Sequence, residues 1–147
     1  MTAGTGRIVA GVDGSDSSRA ALRWAIRQAK LTGASVDAVM AWSLSTAFPP
    51  NAHTDIDMDG ATREALAEIV KEVGGPQPEA PVRQVVSEGH AAAVLLREAK
   101  DADLLVVGSR GRGGFVAAMV GSVSLQCVLH AHCPVLVLRD GHEGHEH

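Results

Sequence analysis

The chain has 147 residues, a length that argues for one domain, 1–147, built on a single core. Hydrophobic residues at 46% and charged residues at 20% exclude a disordered chain, no apolar run approaches the ~18 residues of a membrane helix, and residues 1–7 lack the apolar stretch of a signal peptide. A net charge of −4, from 13 basic and 17 acidic residues, gives no electrostatic footprint for nucleic acid, and Cys127 and Cys133 make neither a disulfide framework nor a metal spacing, which leaves the cytoplasm as the expected compartment.

Apolar spacing alternates between periods of two and 3.6 along the chain. Residues 7–12 read as a first strand, followed by a turn at Asp13-Gly14-Ser15. Ala21, Leu22, Ala25, Ile26 and Ala29 recur on one face of a helix; Ser15, Asp16 or Ser17 can cap its start and Gly33 its end. Residues 36–42 form a second strand, and the polar, proline-containing stretch 43–60 reads as a long loop. Ala65, Leu66, Ile69, Val70 and Val73 line a second helix, stopped by Gly74-Gly75-Pro76. A third strand over 82–87 is followed by a helix over 91–100 with Val94, Leu95 and Ala99 on its apolar side. Residues 104–107 are a fully apolar fourth strand, 108–114 a glycine-rich loop, 122–130 a fourth helix, 135–138 a fifth strand and 140–147 a polar tail. The expected core of the domain is about 7–139.

Strands alternating with helices predict right-handed βαβ units, hence an α/β doubly wound domain with a five-stranded parallel sheet and helices on both faces. The run Leu104-Leu105-Val106-Val107 suits a central strand covered on both sides. Such sheets bind ligands beyond the carboxyl ends of their strands, where strand order reverses. The loops after strands one and four are the best equipped, which favours the order 3-2-1-4-5 over the flavodoxin order 2-1-3-4-5. The loop Ser87-Glu88-Gly89-His90 after strand three carries less, and His90 receives no role.

The richest segment is Gly108-Ser109-Arg110-Gly111, then nine residues, then Gly121-Ser122-Val123-Ser124. Glycines let backbone approach a ligand closely. A helix starting near Ser122 offers free N–H groups and the positive end of its dipole, and the Ser122 and Ser124 hydroxyls add donors. Together these make an anion site suited to phosphate, over which Arg110 and Arg112 can close; the bland alternative is a connection whose glycines serve only turns. Asp13 ends strand one on the same rim. A carboxylate there can accept from a ribose hydroxyl, hold a metal bridging phosphates, or simply close an Asp-Gly turn or cap the helix.

Three segments, Val9-Ala10-Gly11-Val12-Asp13-Gly14-Ser15, Val106-Val107-Gly108-Ser109-Arg110-Gly111 and Gly121-Ser122-Val123-Ser124, resemble the universal stress protein family, as does Cys133-Pro134-Val135-Leu136-Val137. The spacing G-x2-G-x9-G-[ST] is similar to that of the family's ATP-binding branch. The resemblance implies the order 3-2-1-4-5, a dimer, and a regulatory role in stress adaptation through ATP, ADP or AMP, with or without Mg²⁺. It also implies that Val12 and Asp13 lie by adenine and ribose, and that Ala41 offers backbone to the adenine edge. Gly108, Gly111, Gly121, Ser122, Val123 and Ser124 would then surround ribose and phosphates. Family members commonly carry a larger aliphatic residue where Ala41 stands; Trp42 either compensates or belongs to the core.

The segment G-x4-G-K-[ST] is missing, so no P-loop lysine reaches the outer phosphates, and no residue presents itself as a water-positioning base. The expectation is nucleotide binding with slow or absent turnover; a slow ATPase or autokinase, and a protein-interaction module with cyclic AMP or no nucleotide, are the alternatives. Asp55, Asp57, Asp59 and Gly60 match the first half of a calcium loop, but Leu66 stands where its glutamate belongs, and a lid or variable loop is the better reading. His142, His145 and His147 read as a solvated tail, and no metal site is expected. In the order 3-2-1-4-5 the last strand is an apolar edge, whereas strand three is protected by Arg83 and Gln84. Antiparallel pairing of 134–139 with its copy would close a homodimer; otherwise the tail or the loop 112–120 covers that edge.

Overall fold

The computed structural model describes residues 6–43, 57–109 and 121–139. In chain order the elements are β1 (Arg7–Gly11), α1 (Asp16–Thr32), β2 (Ser35–Trp42), α2 (Met58–Gly74), β3 (Val82–Glu88), α3 (Ala91–Glu98), β4 (Leu104–Gly108), α4 (Ser122–His130) and β5 (Val135–Leu138). The strands form one sheet of order β3-β2-β1-β4-β5, and every neighbouring pair is parallel. This is the α/β arrangement that the alternation of periods predicts.

Strand alternation divides the core in two. Ile8, Ala10, Val36, Ala38, Met40 and Val106 meet Leu22, Ala25 and Ile26 of α1 and Leu66 of α2. Val9, Val39, Leu105 and Val107 meet Val94 and Leu95 of α3 and Cys127 of α4. Leu105, Val106 and Val107 are at most 2% exposed, as a strand buried on both faces must be.

Helix boundaries follow local hydrogen bonding. Of the three candidates for capping α1, Ser15 does so, its hydroxyl accepting from the Ser18 N–H at 3.2 Å. Gly33 ends the helix at φ 79°, where its N–H reaches the Ala29 carbonyl at 2.8 Å. The expected loop over 43–60 is too long at its far end, because α2 begins at Met58. Asp57 caps it by accepting from the Gly60 N–H at 2.9 Å. Asp57 thus caps a helix, and the Asp59 carboxylate accepts from Trp42 Nε1 at 3.2 Å and Arg63 Nε at 2.7 Å; Asp55 lies outside the described residues. The third helix stops at Glu98, two residues short of the expected end.

At the amino ends of the strands, Asp37 is buried between two arginines. Arg83 forks onto it, Nη2 to Oδ2 at 2.8 Å and Nε to Oδ1 at 3.2 Å, and Arg7 Nη1 donates to Oδ2 at 3.1 Å. Arg7 also donates to the Glu98 carbonyl at 2.9 Å, fastening the end of α3 to the sheet. Burial works against the Asp37 carboxylate. The hydrogen bonds and charges of Arg83 and Arg7 outweigh it and hold the group below the usual carboxylate range.

Candidate functional site

The opposite, carboxyl end of the sheet holds the segments that the sequence singles out. β1 runs into Val12, whose N–H still pairs with the Val39 carbonyl at 2.8 Å and whose side chain is 4% exposed within the core. Asp13 then turns the chain: its Oδ1 accepts from the Ser15 N–H at 2.9 Å and the Ser15 hydroxyl at 2.6 Å. One carboxylate oxygen of Asp13 therefore organises the turn that starts α1.

Beside it, β4 ends at Gly108. A Cβ there would lie 2.7 Å from the main-chain carbon of Ser17 and 2.8 Å from its Cβ, so only glycine lets β4 end against the first turn of α1. Ser109 follows, 7% exposed, and its carbonyl accepts from the Gly121 N–H at 2.5 Å. That bond brings the two conspicuous glycine segments together on one rim. Arg110, Gly111 and Arg112 lie between them, outside the described residues.

A cavity of about 380 Å³ opens at this end of the sheet. The end of β2 supplies Ala41, Trp42 and Ser43 to its wall. The turn after β3 supplies Gly89 and His90, and α3 supplies Ala91 and Ala92. The first turns of α4 supply Ser122, Val123 and Gln126. Ala41, Ser122 and Val123 are thus brought to one cavity, whereas Val12, Asp13, Gly108, Gly121 and Ser124 lie outside its lining. Ser124 is 1% exposed and donates to the Gly121 carbonyl at 3.0 Å, so its hydroxyl proton is used within the helix start. Ala41 packs with the α3 and α4 side of the core. Alternation sends the Trp42 side chain to the other face, where its Nε1–H donates to Asp59 of α2 at 3.2 Å.

The turn after β3, which carries little side-chain chemistry in the sequence, forms part of the cavity wall. Gly89 sits at φ 140°, and its N–H reaches the Trp42 carbonyl at 2.8 Å, which ties the turn to the end of β2. The signal is a glycine after a strand and before a helix, the placement that singles out the loop after β4. Gln126 was legible as well, one helical turn beyond Ser122.

The cavity receives two helix starts of one kind. The first internal bonds of α3 and α4 are Val94 N–H to the His90 carbonyl and Leu125 N–H to the Gly121 carbonyl, both 3.0 Å. The N–H groups of 91–93 and 122–124 therefore precede each ladder. Neither helix has a side-chain cap or an acidic residue in its first turn. By contrast, α1 and α2 have both. No acidic side chain is among the described residues that line the cavity. Two uncapped positive helix ends around an apolar hollow suit an anionic ligand with a flat, uncharged portion.

A model of the universal stress protein family matches residues 4–139. The chain belongs to that family. A universal stress protein of Mycolicibacterium smegmatis is 36% identical over 132 residues, covering 90% of this chain and 45% of the relative. The chain thus spans less than half the length of the curated relatives that it matches. Among solved structures, a universal stress protein in complex with cAMP superposes with a TM-score of 0.64 at 24% identity, covering 91% of this chain and 96% of that one. A universal stress protein family protein from Arabidopsis thaliana with AMP bound gives 0.61 at 21% identity, covering 95% of each chain. These structural likenesses establish the shared fold.

Proposed function

We propose that this universal stress protein is an adenine-nucleotide-binding regulator of stress adaptation, acting in the cytoplasm as a homodimer. The carrying observation is the cavity flanked by the uncapped starts of α3 and α4. Ala41 and the neighbouring main chain receive the base. Asp13, beside Val12, faces the ribose, and Gly108, Gly121 and the N–H groups at Ser122, Val123 and Ser124 surround the phosphates, with Arg110 and Gly111 completing the cradle. ATP is the ligand of first choice, with Mg²⁺ where its outer phosphates need it. The dimer closes by antiparallel pairing of 134–139.

The two relatives with cAMP and AMP bound favour a second reading, in which a monophosphate is the working ligand. Denatured, purified protein is expected to release an adenine nucleotide detectable by mass spectrometry. ATP, ADP, AMP and cyclic AMP, each with and without Mg²⁺, rank the ligands by thermal shift. Protein that releases none and is stabilised by none overturns the reading. Phosphate release from ATP, if any, is expected to be slow and to fall in Asp13→Ala.

A further inference from the structure

We infer that Gln126 is the side chain that selects the base, taking the N6–N7 edge of adenine and so rejecting guanine; this rests on the nucleotide reading above and names the residue that decides between bases. Much of the cavity wall is small and apolar: Ala41 from β2, Ala91 and Ala92 from α3, Val123 from α4. In such a pocket a few polar side chains set orientation and specificity. Of those present, Ser122 stands in the first turn of α4, where the phosphates are placed, and Ser43 already has a partner. His90 and Gln126 remain. Gln126 follows Ser122 by four residues, hence on the same face and about 6 Å further along the axis, which leaves room for a sugar between phosphate and base. Its side chain is exposed at the wall, and among the described residues its amide has no hydrogen-bond partner.

Hydrogen-bond polarity names the base. A primary amide sets N–H donors beside a carbonyl acceptor. Adenine presents the matching pair, its N6 amino group beside the N7 acceptor, and glutamine is one of the two side chains suited to take both at once. Guanine shows two acceptors, O6 and N7, on the same edge, so the amide carbonyl would face an oxygen there. The usual readers of that edge, arginine and lysine, are missing from the described lining of the cavity. No carboxylate stands there to accept from the amino group of cytosine either. A histidine changes tautomer to meet donor or acceptor alike, so His90 does not make the choice. Ala41 and Gln126 belong to different walls, the end of β2 and the start of α4, and a base between them shows one edge to each. N6 carries two hydrogens, one for the main chain at Ala41 and one for Gln126 Oε1, while Gln126 Nε2 donates to N7.

Calorimetry on the full chain with adenosine, 7-deazaadenosine and guanosine, each as the monophosphate and the triphosphate, tests the assignment. The 7-deaza base lacks only the N7 acceptor. The wild type is expected to bind the adenosine form about fivefold or more tighter than the 7-deaza form, and about tenfold or more tighter than the guanosine form. Gln126→Leu, at an exposed position, is expected to keep the ligand-free melting temperature of the wild type and to bind the adenosine and 7-deaza forms alike. Gln126→Arg, whose fork donates to both O6 and N7, is expected to move the preference toward guanosine about tenfold. A wild type indifferent to N7, a leucine variant that still rejects the 7-deaza form, or an arginine variant with unmoved preference would each overturn the role of Gln126. In all three outcomes adenine nucleotide is still bound, and the nucleotide reading stands. A wild type that binds none of these ligands defeats both.

Discussion

Gly108 is the residue at which the fold and the proposed phosphate cradle are least separable. Its hydrogen sits where any Cβ would press on the main chain of Ser17. Gly108→Ala is expected to cost about 1–3 kcal/mol through overpacking, read as a lowered denaturant midpoint. Asp37 acts at the other end of the strands. Its folded-state pKa is depressed, because Arg83 and Arg7 outweigh the opposing effect of burial. Its contribution is thus fully present above the unfolded value of about 3.9 and is lost as pH falls through the lower folded value. Asp37→Asn is expected to lose about 1–3 kcal/mol at neutral pH and to show a shallower acid limb below about pH 4. Burial, reinforced by the neighbouring Cys133, pushes the Cys127 thiol up to about 11, and burial raises Cys133 as well. A disulfide reagent at pH 8 is therefore expected to label the folded protein slowly and the denatured protein completely, with two thiols counted after denaturation.

At the scale of elements, the start of α4 allows stability and binding to be pulled apart. Ser122 is exposed, and the first turn has no acid. Ser122→Asp is expected to stabilise the fold by about 0.3–1 kcal/mol through the helix dipole. On the proposed function it is also expected to weaken nucleotide binding about tenfold or more by placing a carboxylate at the proposed phosphate position; calorimetry and melting read the two together. The elements themselves were legible where periodicity was strong. Leu22, Ala25, Ile26, Leu66, Leu105 and Val106 reveal helix and strand faces because burial demands apolar side chains at fixed intervals. The start of α2 was not legible, because Asp57-Met58-Asp59-Gly60 caps a helix with the same polar residues that make a loop. The cavity wall at Gly89 and His90 was missed for a related reason. What those residues contribute is backbone position, set by pairing with Trp42 across strands, and side-chain chemistry does not announce it. For Trp42 the sequence leaves two readings, compensation for the small Ala41 or a place in the core; its indole N–H donates to Asp59 of α2.

For the molecule as a whole, ligand binding adds to the stability of the fold. At 100 times its dissociation constant the physiological nucleotide is expected to add roughly 2.7 kcal/mol, seen as a rise in melting temperature that grows with ligand concentration. The order β3-β2-β1-β4-β5 sends the arginine-clamped ends of the strands one way and the glycine-bearing ends the other. The arginine clamp on Asp37 therefore lies apart from the proposed nucleotide site. The hydrogen bond from Gly121 to Ser109 carries this division one step further. It fastens the chain's exit from β4 directly to its entry into α4, so the sheet is knotted off on both sides of 110–120. Closing a longer span between fixed ends costs only about 0.6 kcal/mol per doubling of length. A change of length there is thus expected to spare the sheet and to be felt, through Arg110 and Gly111, in the proposed phosphate cradle.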